Sequence, residues 1–376
     1  MRKKLLMVGR SRYALPLSPS LAQKFDALEA ELEVRVLAAG GGSTGADPRF
    51  RLVPPVRPRK LDGPAFYAAL PFRVARELRA FRPDAVLAQG AQEAALCVLG
   101  RKLARVPTRV IADIHGDPAA PARLYGSPAR RTLAPLADAL ARYGLRHSDG
   151  VRTISAYTSG LVRAERVEPT AEFAAFMDLE PFVEREPVPL PERPVALFVG
   201  VLERYKAVDV LAEAWRRAAP RVPDATLHVV GRGTLHEVVR RLVADLPAQT
   251  RWDERLTTPE VATALDAATV LVLPSRSEGL GRVVVEAFCR GRGVVGSRVG
   301  GIPDIVEDER TGILVQPGDA DALADALVRV LSDAALAERL GAEGRREVDG
   351  WIATPEEYAR RIRELVDAVV TPGTIE

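Results

Sequence analysis

The sequence predicts an α/β protein with two domains, each a parallel sheet covered by helices. Short apolar segments alternate with longer helical patterns along all 376 residues, which is typical of doubly wound parallel sheets. This length also exceeds what one hydrophobic core usually supports. A charged stretch with five prolines, residues 181–194, separates the two series and is predicted to be an interdomain linker.

The first series covers residues 1–180 and is predicted to form one domain. Its short apolar segments fit buried strands, predicted at residues 5–8, 34–37, 85–88, 109–114 and 150–154. The predicted helices are residues 20–31, 66–81, 91–103 and 129–146. Residues 40–59, which are rich in Gly and Pro, are predicted to form a mobile loop.

The second series, residues 195–354, repeats this architecture. Strands are predicted at residues 195–199, 226–230, 270–273 and 294–295. Helices are predicted at residues 208–217, 235–246, 259–267 and 320–331. A last helix over residues 355–370 follows a polar segment and is expected to cross back to the first domain.

The composition is that of a soluble globular protein, with 47% apolar and 27% charged residues and a net charge of +3. No nucleic-acid partner is expected, because acidic residues are interleaved with the basic residues and aromatic residues are few. Basic residues cluster in the first half, at Arg57-Pro58-Arg59-Lys60, at Arg73, Arg76, Arg79 and Arg82, and at Arg101-Lys102. These clusters fit a solvated helix face, an anionic membrane surface or a phosphorylated acceptor.

The two cysteines, Cys97 and Cys289, lie far apart in apolar helical contexts, which indicates buried thiols in a reducing compartment. The first apolar run ends at Gly9-Arg10 and is interpreted as a strand and not as a signal peptide. No apolar run approaches the length of about 18 residues that a spanning helix needs. A cytoplasmic bacterial protein is expected, with peripheral contact at the inner face of the plasma membrane left open.

One acidic segment carries the strongest functional signal. Glu278 and Glu286 bracket two glycines directly after a predicted strand, where open α/β sheets bind ligands. Eight helical steps would separate the carboxylates by about 12 Å, more than the roughly 5–9.5 Å of a hydrolase pair. We interpret the two carboxylates as two contacts to one long ligand, which is an anion flanked by hydroxyl groups. The alternative is that Glu278 is a charge at a helix N-terminus and that Glu286 is a solvated position on that helix.

Three ordered segments support a family resemblance. Residues 274–286, Gly300-Gly301-Ile302-Pro303-Asp304-Ile305-Val306 and Thr311-Gly312-Ile313-Leu314-Val315 resemble the retaining glycosyltransferases of family 4. Residues 198–202 with Lys206, and Val230-Gly231-Arg232-Gly233, look like further segments of that family. The resemblance implies the GT-B fold, two facing Rossmann-like domains with a cleft between them.

The resemblance also implies a donor site. Glu286 would hold ribose hydroxyls, and Lys206 with Gly200 would serve the diphosphate, whose charge grows as it leaves. Glu278 and the amides of Gly279, Leu280 and Gly281 would face the donor sugar and its phosphate. The sequence departs from the family at Val201, where an arginine is common, and at Ala207, where a glycine is common. Arg204 is a candidate for the missing charge.

In the first domain, His115 ends a strand and resembles the family histidine near the transferred sugar, with Asp113 and Asp117 as neighbouring candidates. Arg10 and Arg12 stand where the family often has two glycines, and they fit a phosphate or anionic acceptor as well as solvent. Trp252 lies where the family shapes the base pocket, and base stacking and a place in the core are both open.

The resemblance implies transfer of a sugar from a nucleoside-diphosphate donor, with retention, to a glycan, lipid-linked or small-molecule acceptor. No cofactor and no essential divalent metal are expected, since the one Asp-X-Asp, Asp319-Ala320-Asp321, is interpreted as a helix N-cap. The alternatives are a non-catalytic sugar-nucleotide-binding protein and a Rossmann-type oxidoreductase. The oxidoreductase alternative is disfavoured, because this sequence has no Gly-X-Gly-X-X-Gly after a first strand. A sugar-nucleotide epimerase is a third, minor alternative.

Overall fold

The computed structural model describes residues 2–42, 45–58, 61–120 and 132–371. These residues form two compact units, divided between Phe176 and Met177. Residues 353–371 return to the first unit. Within the described part of the chain, no helix has the length and apolarity needed to cross a membrane.

The first unit contains a seven-stranded parallel sheet. Its strands are β1 (Lys4–Tyr13), β2 (Glu33–Gly40), β3 (Phe50–Val53), β4 (Ala85–Ala88), β5 (Arg109–Ile114), β6 (Gly150–Thr153) and β7 (Ala171–Glu172). Its helices are α1 (Pro19–Glu31), α2 (Asp62–Phe81), α3 (Ala91–Ala104), α4 (Ala134–His147), α5 (Ala156–Ala164) and the C-terminal helix α13 (Pro355–Val370).

The strand order is β3-β2-β1-β4-β5-β6-β7, so the order reverses between β1 and β4. The apolar sides of α2, α3 and α4 pack on one face of this sheet. Those of α1 and α13 pack on the other, where Tyr358 and Ile362 enter the core. The C-terminal helix therefore completes the first hydrophobic core.

Two features of the first unit correct the sequence predictions. Strand β1 does not stop before Gly9; it continues to Tyr13, and the register shifts between Val8 and Arg12. The predicted loop over residues 40–59 contains β3, whose Phe50 is buried against Tyr13 and Phe25. Tertiary packing, rather than the local content of Gly and Pro, decides both. Residues 129–131 of the predicted fourth helix lie outside the described residues.

The second unit contains a six-stranded parallel sheet of order β10-β9-β8-β11-β12-β13. Its strands are β8 (Val195–Val199), β9 (Thr226–Val230), β10 (Thr250–Asp253), β11 (Val270–Leu273), β12 (Gly293–Ser297) and β13 (Gly312–Val315). Its helices are α6 (Glu180–Val183), α7 (Val208–Ala218), α8 (His236–Asp245), α9 (Thr258–Asp266), α10 (Arg282–Cys289), α11 (Ala320–Ser332) and α12 (Ala334–Glu347).

The proline-rich stretch over residues 181–194 belongs to this second unit. Two buried arginines hold it there: Arg290 donates to the carbonyls of Arg185 and Glu186, and Arg292 donates to those of Val188 and Pro189. The buried thiols of Cys97 and Cys289 match the sequence prediction. Asp319 caps α11 by accepting from the Ala322 amide at 2.9 Å, which confirms the N-cap interpretation.

Candidate functional site

The loops after β8 and β11 flank the point where the strand order of the second sheet reverses. In open α/β sheets, ligands bind beyond the carboxyl ends of the strands at such a switch point. The loop after β8 carries Gly200 and Lys206, and the loop after β11 carries Glu278 through Gly281. The fold therefore brings two separately predicted segments to the edge of the sheet where a ligand is expected.

Lys206 and Glu278 form an ion pair across this switch point. Their side chains are 12% and 15% exposed, so both charges are largely removed from solvent. Ser275 Oγ lies 3.5 Å from the same Glu278 oxygen. A Cβ on Gly200 would lie 3.7 Å from Lys206 Cε, which places this glycine beside the lysine stem. The site thus holds a cation whose aliphatic stem lies beside the Gly200 backbone.

Arg276 fixes the loop that carries Lys206, and it is not among the site residues predicted from the sequence. Its guanidinium binds Asp209 of α7 through two hydrogen bonds of 2.7 and 2.8 Å. It also donates to the Arg204 carbonyl at 2.9 Å, and its amide donates to the Tyr205 carbonyl at 2.7 Å. A bidentate Arg–carboxylate pair has a defined geometry. Arg276 therefore couples the two loops.

The two departures from the family lie on this loop. Ala207 is buried with φ of +52°, a conformation that favours glycine and costs an alanine roughly 1–2 kcal/mol. Val201 is 43% exposed. Arg204 is exposed and begins the short 3₁₀ turn Arg204–Lys206. Its proposed replacement of the missing arginine stays a prediction.

The loop of Glu278 is shaped by contact with the loop after β12. A Cβ on Gly300, whose φ is +61°, would lie only 1.9 Å from the Glu278 carbonyl oxygen. The Gly301 amide donates to that oxygen at 3.1 Å. Only glycine permits this approach. The double glycine therefore supports the loop of Glu278 through its backbone.

Helix α10 begins at Arg282, because Gly281 takes a left-handed conformation with φ of +87° and becomes the N-cap. Leu280 is buried at 3% exposure and anchors the turn. The amides at the start of α10 thus follow the ion pair directly. Such amides are unpaired within the helix and favour anions.

Glu286 lies on α10, one turn after Arg282, with 15% of its side chain exposed. Burial raises the pKa of its carboxyl above the usual range, and the charge of Asp178 adds to this. Arg282 and Lys206 oppose the rise without cancelling it. Glu286 therefore lies in the electrostatic reach of Lys206, and within the described part of the chain its nearest ion-pair partner is Arg282 at 4.0 Å.

Trp252 lies on β10, at the edge of the second sheet. Its indole nitrogen donates to the Gly231 carbonyl at 2.9 Å, and its ring packs against the hydrophobic core. These contacts account for a structural role in the core. Base stacking stays a prediction.

In the first unit, Asp113 joins His115 to a buried arginine. Asp113 Oδ2 lies 2.8 Å from His115 Nε2, and Asp113 Oδ1 accepts from Arg152 at 2.6 Å. Arg152 is fully buried, whereas His115 is 43% exposed. Burial raises the pKa of Asp113, but the charges of Arg152 and His115 outweigh this and hold it well below its usual range. The carboxylate therefore orients the imidazole toward solvent.

The environment of Arg152 explains how the fold accepts a buried charge. Its second nitrogen donates to the carbonyls of Phe173 and Ala174 at 3.0 and 2.8 Å. Its guanidinium lies 4.1 Å from the ring centre of Phe173 and 5.6 Å from that of Tyr358 on α13. Burial raises the pKa of Tyr358 to about 12. A charged residue within the apolar segment 150–154 was the overlooked sequence signal.

Asp117 does not join this cluster; it accepts from the Ala119 amide at 2.8 Å and closes the turn after β5. Arg10 and Arg12 share Asp62 of α2, with Arg10 at 3.3 Å. Both lie at the end of β1, beside the switch point of the first sheet. The buried carboxyl of Glu93 also lies within electrostatic reach of Arg10. Contact of Arg10 and Arg12 with an anionic acceptor stays a prediction.

The predicted site residues therefore fall into three local groups. Lys206, Glu278 and Glu286 gather in the second unit, His115 and Asp113 in the first, and Arg10 and Arg12 around Asp62. Among the described residues, no group of three or more His, Cys, Asp or Glu side chains is placed to hold a metal ion.

Two parallel Rossmann-like sheets, with charged groups at the switch point of each, define a class of nucleotide-binding α/β proteins. Comparison with known proteins identifies the family. Residues 193–333 match the family model described as glycosyl transferases group 1, and residues 16–173 match the glycosyl transferase 4-like domain.

The chain is 31% identical over 283 residues to a GDP-mannose-dependent alpha-(1-6)-phosphatidylinositol monomannoside mannosyltransferase of Mycolicibacterium smegmatis, covering 69% of this chain and 70% of that relative. A sulfoquinovosyl transferase of Arabidopsis thaliana is 33% identical over 164 residues, and this match spans 43% of this chain but only 31% of that relative. The chain belongs to the group 1, family 4-type glycosyltransferases.

Solved structures show the same GT-B fold. Sucrose-phosphate synthase from Thermosynechococcus elongatus has a TM-score of 0.80 at 22% identity, over 99% of this chain and 100% of that one. Anabaena HepE in complex with UDP-glucose has a TM-score of 0.70 at 17% identity, over 98% and 100%. The α/β fold class and the family resemblance predicted from the sequence are confirmed.

Proposed function

We propose that this protein transfers a sugar from a nucleoside-diphosphate sugar to an acceptor hydroxyl with retention of anomeric configuration. The observation that carries the proposal is the Lys206–Glu278 pair at the switch point, followed directly by the start of α10. A diphosphate needs a cation and backbone amides, and a sugar needs carboxylates that accept from its hydroxyls. The complex of HepE with UDP-glucose and the GDP-mannose-dependent relative support this donor class.

In the proposed reaction, the bond from the anomeric carbon to the phosphate oxygen breaks while the acceptor oxygen bonds to that carbon from the same face. The acceptor proton passes to the departing diphosphate. Lys206 and the first amides of α10 stabilise the growing negative charge, which is the task a divalent metal would otherwise perform. We therefore propose a metal-independent transferase. Glu286 accepts from the ribose hydroxyls. The role of His115 beside the transferred sugar, implied by the family resemblance, stays a prediction.

A panel of UDP-, GDP- and ADP-sugars, with NAD as a competitor class, tests this donor assignment. Ligand at about a hundred times its Kd stabilises the folded state by about 2.7 kcal/mol. One nucleoside-diphosphate sugar should raise the unfolding temperature, and Glu286→Ala should reduce that rise. Stabilisation by NAD alone would assign an oxidoreductase. Absence of stabilisation by every nucleotide at millimolar concentration would contradict the proposal.

Donor affinity should depend on pH through Glu286. The ionised carboxylate accepts two hydroxyl hydrogen bonds, so donor binding favours its charged form and releases a proton. Because burial raises the pKa of Glu286, affinity should fall with decreasing pH already above the range of an ordinary glutamate. Calorimetry across this range should show the dependence in the native protein and its loss in Glu286→Gln. Equal pH profiles of the two proteins would contradict the ribose contact.

A further inference from the structure

The three helices on one face of the first sheet form a single layer. Gly100 of α3 lies so close to α2 that a Cβ there would be 2.9 Å from the Pro71 carbonyl oxygen. Gly144 of α4 approaches α3 more closely still, at 2.0 Å from the Ala91 carbonyl oxygen. Arg79 of α2 also donates to the Leu103 carbonyl at the end of α3. The outward sides of α2, α3 and α4 therefore belong to one surface.

This surface exposes large apolar side chains. Phe72 is 69% and Leu136 is 68% exposed, although both side chains are of types usually found in cores. Six exposed apolar residues lie on these helices or at their starts, and together they are called the apolar patch: Leu61, Phe72, Leu99, Leu103, Leu133 and Leu136. Among the described residues of the second unit, only three valines are comparably exposed. Large exposed apolar patches mark interaction sites.

The charges around the patch have one dominant sign. The described residues of the three helices hold seven Arg and Lys, three in α2, two in α3 and two in α4, against four acids. Two of those acids, Asp62 and Glu93, are buried, and Glu77 is paired with Arg35 of β2. Arg76, Arg79, Lys102 and Arg142 are exposed beside the patch. The outward surface is therefore both apolar and positively charged.

We propose that this surface docks on an anionic lipid bilayer, with the apolar patch in the interfacial region and the flanking arginines and lysine against lipid phosphates. Apolar side chains surrounded by Arg and Lys are typical of interfacial membrane contact. A second copy of the chain fits less well, because a two-fold contact would bring the same basic residues against each other. The proposal rests on this surface alone and is independent of the proposed glycosyl transfer.

Flotation of the full chain with lipid vesicles tests the proposal. Vesicles of phosphatidylcholine mixed with phosphatidylglycerol should bind the protein, and vesicles of phosphatidylcholine alone should bind it far less. High salt should weaken binding, because it screens exposed charges. The double variant Phe72→Ser/Leu136→Ser should bind at least about tenfold more weakly. Each charge removed in Arg76→Gln or Arg142→Gln should weaken binding about fivefold.

Matched controls are Val188→Ser and Arg240→Gln, which alter an exposed apolar residue and an exposed arginine of the second unit. Both should bind vesicles like the native protein, and all variants should keep native unfolding temperatures and nucleotide affinity. Folded native protein that fails to float with the anionic vesicles would overturn the proposal. Equal binding by the Phe72→Ser/Leu136→Ser variant would do the same. Self-association, or capture of an acidic protein, that these substitutions abolish without any vesicle binding would assign the surface to a protein partner instead.

Discussion

Replacing Lys206 by methionine is expected to lower kcat by about 10²–10³-fold, the usual cost of removing one preorganised charge stabiliser. The ammonium lies at the switch point and is held there by Glu278, so it is in place before the reaction begins. Its interaction with the diphosphate strengthens as negative charge grows on the leaving group. The donor KM should therefore change much less than kcat. Steady-state kinetics with the preferred donor measure both.

The matched control for this substitution is Lys4→Met in the first unit. Lys4 is partly exposed and pairs with Glu33 at 3.3 Å, far from any proposed chemistry in its own unit. Its kinetics should equal those of the native protein. A folded Lys206→Met protein with kcat within about threefold of native would remove the leaving-group assignment. A rise in KM at unchanged kcat would reassign Lys206 to uniform donor binding.

Replacing Arg152 by leucine is expected to destabilise the first unit by about 3–5 kcal/mol, because it leaves one member of a buried charge pair alone. Among the described residues, Asp113 would keep its contact with His115 alone, and the Phe173 and Ala174 carbonyls would lose the hydrogen bonds that Arg152 donates. All three tryptophans, Trp215, Trp252 and Trp351, lie in the second unit, so their fluorescence does not monitor unfolding of the first unit. Hydrogen exchange of peptides around β6 measures the effect in the first unit.

The penalty for Arg152→Leu should shrink as the pH falls. In the native protein Asp113 has a lowered pKa, so it stabilises the fold at neutral pH and down to strongly acid pH. In the variant, burial without Arg152 raises that pKa, so the carboxyl takes up a proton and the unpaired charge disappears. Adding Asp113→Asn should recover part of the lost stability at neutral pH.

The control for this substitution is Arg163→Leu, which removes an exposed ion pair of α5 and should cost no more than about 1 kcal/mol. A loss no larger than the control's in Arg152→Leu would contradict a structural role for the Asp113 pair. Loss of stability that is independent of pH would assign the effect to packing around Phe173 and not to charge.

Much of the fold follows from local pattern, because buried parallel strands are nearly continuous apolar segments. The predicted strands 195–199, 226–230 and 270–273 agree with β8, β9 and β11 at both ends. The weaker elements depend on partners elsewhere in the chain. Strand β3 is held by pairing with β2 and by aromatic contacts of Phe50, and neither is visible from its own four residues.

The site residues also separate into those that a local pattern predicts and those that depend on partners elsewhere in the chain. The segment containing Glu278 and Glu286 has a distinctive spacing beside a strand, so sequence alone indicates a ligand. The pairing of Lys206 with Glu278 joins residues 72 positions apart and follows only from the order of β8 and β11 in the sheet. Arg276 and Arg152 act through partners 67 and 39 positions away. A charged residue in an apolar segment marks Arg152 as unusual, but no local pattern reveals the partner of either arginine.

The most direct measurement of the central claim is proton NMR of donor hydrolysis, with water in the place of the unidentified acceptor and with EDTA present. The native protein should release nucleoside diphosphate, and the first sugar formed should keep the anomeric configuration of the donor. Lys206→Met should slow this release by about 10²–10³-fold. Inverted product, activity that EDTA removes and magnesium or manganese restores, or no release from any donor that binds would contradict a retaining, metal-independent glycosyltransferase.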